Sequence, residues 1–211
     1  MKKILSISLL KSVLLSGILL IFAGEVFSFQ STYVPMDESR LWFQGSSNVN
    51  EFECLAENYT GEAKLPEFND PSTLVDQVTE ILSVQLEIEV DSIECGKNKM
   101  NKDLKEALHA DSFPEISFVF DEAELIRQPQ SLDDAFKVEV HGDLTVAGNT
   151  RKISFMTNAY LRNDQTVRAT GQTTIRMTDF GVKPPTALMG LIRADEELTV
   201  HFDLIATGNN Q

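Results

Sequence analysis

The chain has 211 residues, of which 42% are hydrophobic, so it is long enough to build a globular domain with an apolar core. It carries 32 acidic but only 18 basic residues, which gives a formal net charge of -14 at pH 7. Nucleic acids and anionic membrane surfaces repel such a chain, so we exclude nucleic acid as a partner and expect a soluble acidic surface.

The N-terminal residues have the composition of an export signal. Lys2 and Lys3 form a basic start, residues 13–23 are mostly apolar, and Ser28 is small enough to precede a cleavage site. Lys11 leaves the uncharged stretch shorter than the roughly 20 residues of a membrane-spanning helix, although a retained anchor is the alternative. We therefore predict a signal peptide over residues 1–28, one domain over residues 29–211, and a periplasmic or secreted location.

Cys54 and Cys95 are the two cysteines of the chain. An even number in an exported protein favours a disulfide, and two buried thiols are the alternative. The apolar residues of the strand before Cys95 lie on the face opposite to that cysteine, so we expect a bulge near Ser92 to reverse the faces.

Alternating apolar and polar residues recur at short intervals, as is typical of strands with one dry and one wet face. The runs with this pattern are residues 41–45, 51–57, 84–90, 116–127, 166–177 and 198–206. We interpret residues 29–38 as an extended lead-in and residues 61–75, rich in turn-forming residues, as a loop.

Residues 141–159 read HGDLTVAGNTRKISFMTNA and predict a hairpin, since Gly148 and Asn149 favour a tight turn between two alternating runs. A two-residue turn there leaves Gly142 opposite Phe155, with a gap that either packing or a guest would fill. The predicted pairs are Ala147 with Thr150, Leu144 with Ile153, Gly142 with Phe155, and Val140 with Thr157.

One amphipathic helix is expected over residues 101–110, with Asn101 as its cap and Pro114 beyond its end. Residues 184–190 predict a short helical turn. About eight strands and one main helix, without a strand–helix–strand rhythm, indicate an all-β fold, either an antiparallel barrel or a sandwich.

Signs of catalysis are absent from the sequence. His109, His141 and His201 are far apart and lack a second ligand at metal spacing. The chain has no nucleophile elbow and no phosphate-binding loop. We therefore predict no enzyme activity, no metal and no resident cofactor.

Several segments, in this order, match a known family. They are residues 45–52 (GSSNVNEF), 97–110, 111–118 (DSFPEISF), 142–151 (GDLTVAGNTR) and 176–181 (RMTDFG). Together they span roughly residues 41–207, and on them the chain resembles the YceI-like family of periplasmic lipocalin-like barrels. The resemblance implies an antiparallel barrel of about eight strands with one main helix, whose interior holds the tail of a polyprenyl or quinone-like lipid.

We expect an isoprenoid lipid to contact the dry faces of these strands, where Gly142, Gly171, Ala159, Ala169 and Thr173 could hollow the interior. Leu188, next to Met189, is predicted as an apolar flap near the mouth of the barrel, and a plain surface turn is the alternative. The predicted lipid-binding residues are Phe118, Phe120, Leu144, Phe155, Met177, Leu188 and Phe202.

The predicted function is to carry or store this lipid without catalysis. The alternatives are an exported stress-related or interaction domain with a filled barrel, and an enzyme that acts on a lipid head group. Two further partners are expected but left open by the sequence: a membrane protein that donates or accepts the lipid, and a second copy of the chain in a homodimer.

Overall fold

The computed structural model describes residues 30–66, 83–130, 134–162 and 166–209. The predicted signal peptide and most of the predicted loop at residues 61–75 lie outside these ranges.

The described residues include twelve strands and one α-helix. The strands are β1 (Gln30–Pro35), β2 (Arg40–Ser47), β3 (Glu51–Ala56), β4 (Tyr59–Pro66), β5 (Ser83–Glu89), β6 (Ile93–Glu94), β7 (Glu115–Arg127), β8 (Phe136–Val146), β9 (Asn149–Leu161), β10 (Thr166–Arg176), β11 (Thr186–Ala187) and β12 (Ile192–Asn209). The helix is α1 (Asn98–Leu108), and short 3-10 turns lie at Val90–Ser92, Met177–Phe180 and Leu188–Gly190. None of the described helices combines the length and the apolarity that crossing a bilayer requires.

The strands close into an antiparallel barrel. Eight of them form a ring in the order β1, β4, β5, β7, β8, β9, β10, β12, and β12 pairs back onto β1. The 18 residues of β12 pair with β10 on one side and with both β1 and β2 on the other. The predicted fold class, an antiparallel barrel of eight strands with one main helix, is confirmed.

The hairpin exists, but its predicted turn is wrong by one residue. The turn residues are Ala147 and Gly148, with φ of 47° and 73°, and Asn149 pairs with Val146 as the first residue of β9. Both central residues of such a turn need positive φ. Asn149 follows the turn, and its side-chain amide nitrogen donates a hydrogen bond to the Ala147 carbonyl at 3.0 Å. Gly142 therefore pairs with Ile153. Each residue of β9 in the predicted pairs is paired with the β8 residue two positions before the predicted one. Because side chains alternate with a period of two, each side chain keeps its predicted face.

Two strands lie where the sequence did not predict them. The lead-in contains β1, and β4 occupies the residues up to Pro66, where the loop was expected to begin. The predicted helical turn at residues 184–190 begins instead with extended backbone: β11 pairs with β12, and only Leu188–Gly190 forms a 3-10 turn.

The helix starts at Asn98, three residues before the predicted cap. Asn101 fixes the turn before the helix rather than capping it. Its side-chain oxygen accepts a hydrogen bond from the Cys95 amide at 2.8 Å, and its amide nitrogen donates to Glu94 at 2.7 Å. The helix ends where His109 takes a positive φ of 55°.

The disulfide between Cys54 and Cys95 is present, and both residues are buried. The expected bulge near Ser92 is wrong, because the 3-10 turn Val90–Ser92 reverses the faces instead. The Ser92 hydroxyl lies 2.8 Å from the Glu89 carbonyl oxygen, to which it donates a hydrogen bond, and it accepts one from the Asn58 backbone amide at 3.1 Å, so it holds this turn in place.

Helix α1 packs against one end of the barrel. Its residues Leu104, Ala107 and Leu108 join a buried cluster that includes Val146 and Phe180. This cluster also contains the disulfide, so the same contacts that hold the helix in place connect it to β3.

Replacing both cysteines with serine should lower the free energy of unfolding by about 2–4 kcal/mol, because the disulfide restricts the unfolded chain. Urea denaturation of the two proteins with and without a reductant measures the effect. Reductant should lower the midpoint of the wild type and leave that of the variant unchanged. Equal midpoints for both proteins without reductant would contradict the prediction.

The ion pair between Arg168 on β10 and Asp203 on β12 predicts a dependence of stability on pH. The guanidinium donates two hydrogen bonds of 2.7 Å, which hold the pKa of the Asp203 carboxyl below its usual value. A lowered pKa stabilises the fold above the unfolded-state value of about 3.9 and stops doing so as the pH falls through the folded-state value.

Asp203→Asn should therefore reduce stability at pH 7 by at most about 1 kcal/mol, since both side chains are partly exposed and solvent screens the pair. The difference from the wild type should shrink as the pH is lowered toward about 2.5, below the unfolded-state pKa. Chemical denaturation at both pH values checks this, and an equal difference at both would refute it.

Candidate ligand-binding cavity

The inward side chains of the barrel enclose a cavity of about 370 Å³ whose lining is almost wholly apolar. This volume falls within the range of roughly 300–1,000 Å³ that is common for small-molecule pockets. The alternation along each strand produces the lining, because every second residue points inward. The charged residues between them, such as Glu87 and Glu89 on β5, are exposed.

Six of the seven predicted lipid-binding residues line this cavity. They are Phe118, Phe120, Leu144, Phe155, Met177 and Phe202. The Phe155 ring contacts the rings of Phe118 and Phe202. The centroid of Phe155 lies 5.6 Å from that of Phe118 and 5.5 Å from that of Phe202, in the tilted and edge-on arrangements that aromatic pairs favour.

Leu188 is the predicted residue that the structure does not bring to the cavity. It lies in the 3-10 turn after β11, is 65% exposed and does not contribute to the lining. Its backbone and that of Met189 both have positive φ, 49° and 55°. This turn follows the strand that pairs with the start of β12, which places it at the same end of the barrel as the tip between β2 and β3.

Two inward glycines let aromatic rings lie against the wall. A Cβ atom on Gly142 would be 2.5 Å from the Phe118 ring, and one on Gly171 would be 2.5 Å from the Phe202 ring. The gap expected beside Gly142 is thus filled by packing, and the ring that fills it is that of Phe118 rather than Phe155. Ala159, Ala169 and Thr173 line the cavity itself.

Part of the lining comes from residues that the sequence pattern did not reveal. Tyr33 and Leu65, on the two unpredicted strands β1 and β4, line the cavity, as do Leu104 and Leu108 of the helix. The alternate residues Gly61, Ala63 and Leu65 carry a period-two signal, but two of the three are small. The helix was predicted as amphipathic, and only the three-dimensional structure shows that its apolar face covers the end of a hollow barrel.

The histidines lie away from this cavity. The His201 ring stacks on Trp42 on the outer face, with centroids 5.0 Å apart, and one of its nitrogens is 3.1 Å from the Gln44 side-chain oxygen. Within the described ranges, no three His, Cys, Asp or Glu side chains lie close enough together to hold a metal ion.

Comparison with known proteins gives one family match. The model of the YceI-like domain matches residues 35–206, which include almost the whole barrel and the helix. None of the curated proteins that were compared matches the chain.

Solved structures share the fold at low sequence identity. BcnA of Burkholderia cenocepacia is 20% identical with a TM-score of 0.65, over 82% of this chain and 99% of its own. A polyisoprenoid binding domain from Saccharophagus degradans, implicated in plant cell wall breakdown, is 13% identical with a TM-score of 0.62, over 86% and 100%. The YCEI protein of Campylobacter jejuni is 15% identical with a TM-score of 0.56, over 75% and 85%.

The family match covers more than three quarters of the chain, including the helix and most of the strands that enclose the cavity, and the solved structures share the fold. The chain therefore belongs to the YceI-like domain family.

Proposed function

We propose that this protein binds the apolar chain of an isoprenoid lipid inside its barrel and carries or stores that lipid in the periplasm. The observation that carries the proposal is the apolar cavity of about 370 Å³ within a closed barrel. The likeness to a polyisoprenoid binding domain and the membership in the YceI-like family support it.

The free energy of binding would come from removing the prenyl chain from water. Each buried CH₂ group contributes about 0.8 kcal/mol, so a few isoprene units provide useful affinity without a charged contact. The branched methyl groups of such a chain would pack against Phe118, Phe155 and Phe202. The closed ring of strands keeps water from the chain once it is inside.

The periplasmic location is part of the proposal. A disulfide is stable in an oxidising compartment, and both the one between Cys54 and Cys95 and the membership in the YceI-like family are consistent with that location. Residues 1–28 would be the signal that directs export.

The cavity disfavours the alternative of a filled barrel without a ligand, because such a barrel would bring its side chains into contact across the interior. Three statements stay predictions: that the protein does not catalyse a reaction, that a membrane protein donates or accepts the lipid, and that the protein forms a homodimer. The six lining residues named above are the proposed lipid contacts, and Leu188 is left out because it lies outside the cavity.

Filling the cavity should abolish lipid binding. Ala169 lines the cavity between its cross-strand neighbours Ala159 and Leu204, so Ala169→Leu would occupy space that the lipid needs. We expect the variant to fold, because the new side chain fills a void, and to lose co-purifying prenyl lipid. Native mass spectrometry and organic extraction measure the lipid, and thermal unfolding measures the fold.

Thr174→Leu is the matched control, since Thr174 lies on the same strand but is exposed on the outer face. It should retain the lipid content of the wild type. Full lipid occupancy in a folded Ala169→Leu variant would refute the assignment of the cavity as the lipid site.

Phe155→Asp should abolish lipid retention or folding, because it removes the ring between Phe118 and Phe202 and places a charge in an apolar cavity. The same extraction assay, with circular dichroism, tests it. Met156→Asp changes the adjacent, exposed position on β9 and should bind lipid normally. Normal lipid binding by Phe155→Asp would show that this face is not the lining.

A further inference from the structure

Thr157 is a buried polar residue in the apolar lining of the cavity. It lies on β9, is only 5% exposed, and borders the cavity together with Phe155 and Ala159 from the same strand. Among the buried side-chain oxygen and nitrogen atoms of the described residues, its hydroxyl oxygen is the one that has no hydrogen-bond partner.

The surroundings of Thr157 offer its hydroxyl no side-chain partner. Its cross-strand neighbours are Val138 on β8 and Gly171 on β10, and neither has a side chain that accepts or donates a hydrogen bond. A buried hydroxyl without a partner destabilises the fold, so protein interiors rarely contain one. A buried water would need roughly two to four polar partners, which this apolar wall does not supply.

We propose that the Thr157 hydroxyl donates a hydrogen bond to an oxygen atom of the bound lipid. This inference rests on the proposed function and narrows it: the ligand is an isoprenoid with a hydroxyl or carbonyl oxygen, and a pure hydrocarbon binds less well. The hydroxyl oxygen is itself buried, so rotation about χ1, which exchanges the hydroxyl of threonine with its methyl group, is the movement that would bring it to the ligand.

The position of Thr157 also gives the lipid a direction. It lies four residues before Leu161, roughly 13 Å along the strand from the barrel end remote from α1. Leu104 and Leu108 of α1 line the cavity at the opposite end. The apolar tail therefore points toward the helix, and the oxygen-bearing head lies in the half of the barrel remote from it.

The test compares three lipids of matched chain length with the full chain after its own lipid has been extracted. They are geranylgeraniol, the corresponding aldehyde, and the hydrocarbon that lacks the oxygen. Displacement of a fluorescent apolar probe gives their affinities. The wild type should prefer at least one of the two oxygenated lipids to the hydrocarbon by about three- to tenfold, the effect of one hydrogen bond.

Thr157→Val keeps the branched shape without the hydroxyl and should lose this preference while binding the hydrocarbon at least as well. Thr157→Ser keeps the hydroxyl and should retain the preference, and Thr157→Ala is a second variant without it. Thr157→Val without ligand should be at least as stable to heat as the wild type, which a hydroxyl bonded within the protein would not allow.

Two failures are distinguishable. If the wild type binds all three lipids equally, or if the valine and alanine variants keep the preference, the role of Thr157 is refuted while lipid binding stands. If none of the lipids displaces the probe from folded wild-type protein, the proposed function is refuted and this inference with it.

Discussion

The rest of this structure depends on an almost wholly apolar interior that the side chains of the barrel do not fill. Pairing between the strands of the closed ring satisfies the backbone polar groups of the wall, so the interior needs no water for them. Gly142 and Gly171 let two aromatic rings lie against the wall instead of across the lumen. Helix α1 covers one end of the barrel with apolar side chains.

The barrel separates two chemical environments across a wall one strand thick. Outside are ion pairs such as that of Lys152 with Asp121, where the pKa of the carboxyl is lowered by the hydrogen bond and charge of the lysine. Inside, the lining is almost wholly apolar and the Thr157 hydroxyl has no hydrogen-bond partner, which is the basis of its proposed preference for ligands that carry an oxygen. A site with a buried donor discriminates strongly against ligands that leave the donor unpaired.

The sequence was sufficient to predict which face of a strand points inward wherever apolar and polar residues alternate regularly. The alternation in residues 84–90 and 166–177, and the two sides of the hairpin at Gly148, predicted which side chains face inward. The exact turn could not be predicted, because a shift of the register by two residues leaves the pattern unchanged. Strand β4 was missed because Gly61 and Ala63 give its inner face a weak apolar signal. The position of Leu188 outside the cavity lining could not be predicted, because composition does not show where a turn lies relative to a barrel.

The long strand β12 has a consequence for the kinetics of folding. It aligns Asn209 with Thr32, so the ring closes only when the two ends of the described chain meet. Such a high contact order slows folding. Until closure, β1 and the C-terminal part of β12 have unpaired edges, and the apolar inner surface is accessible to other copies of the chain. Self-association of chains whose ring has not yet closed is therefore a hazard of building a hollow barrel from this sequence.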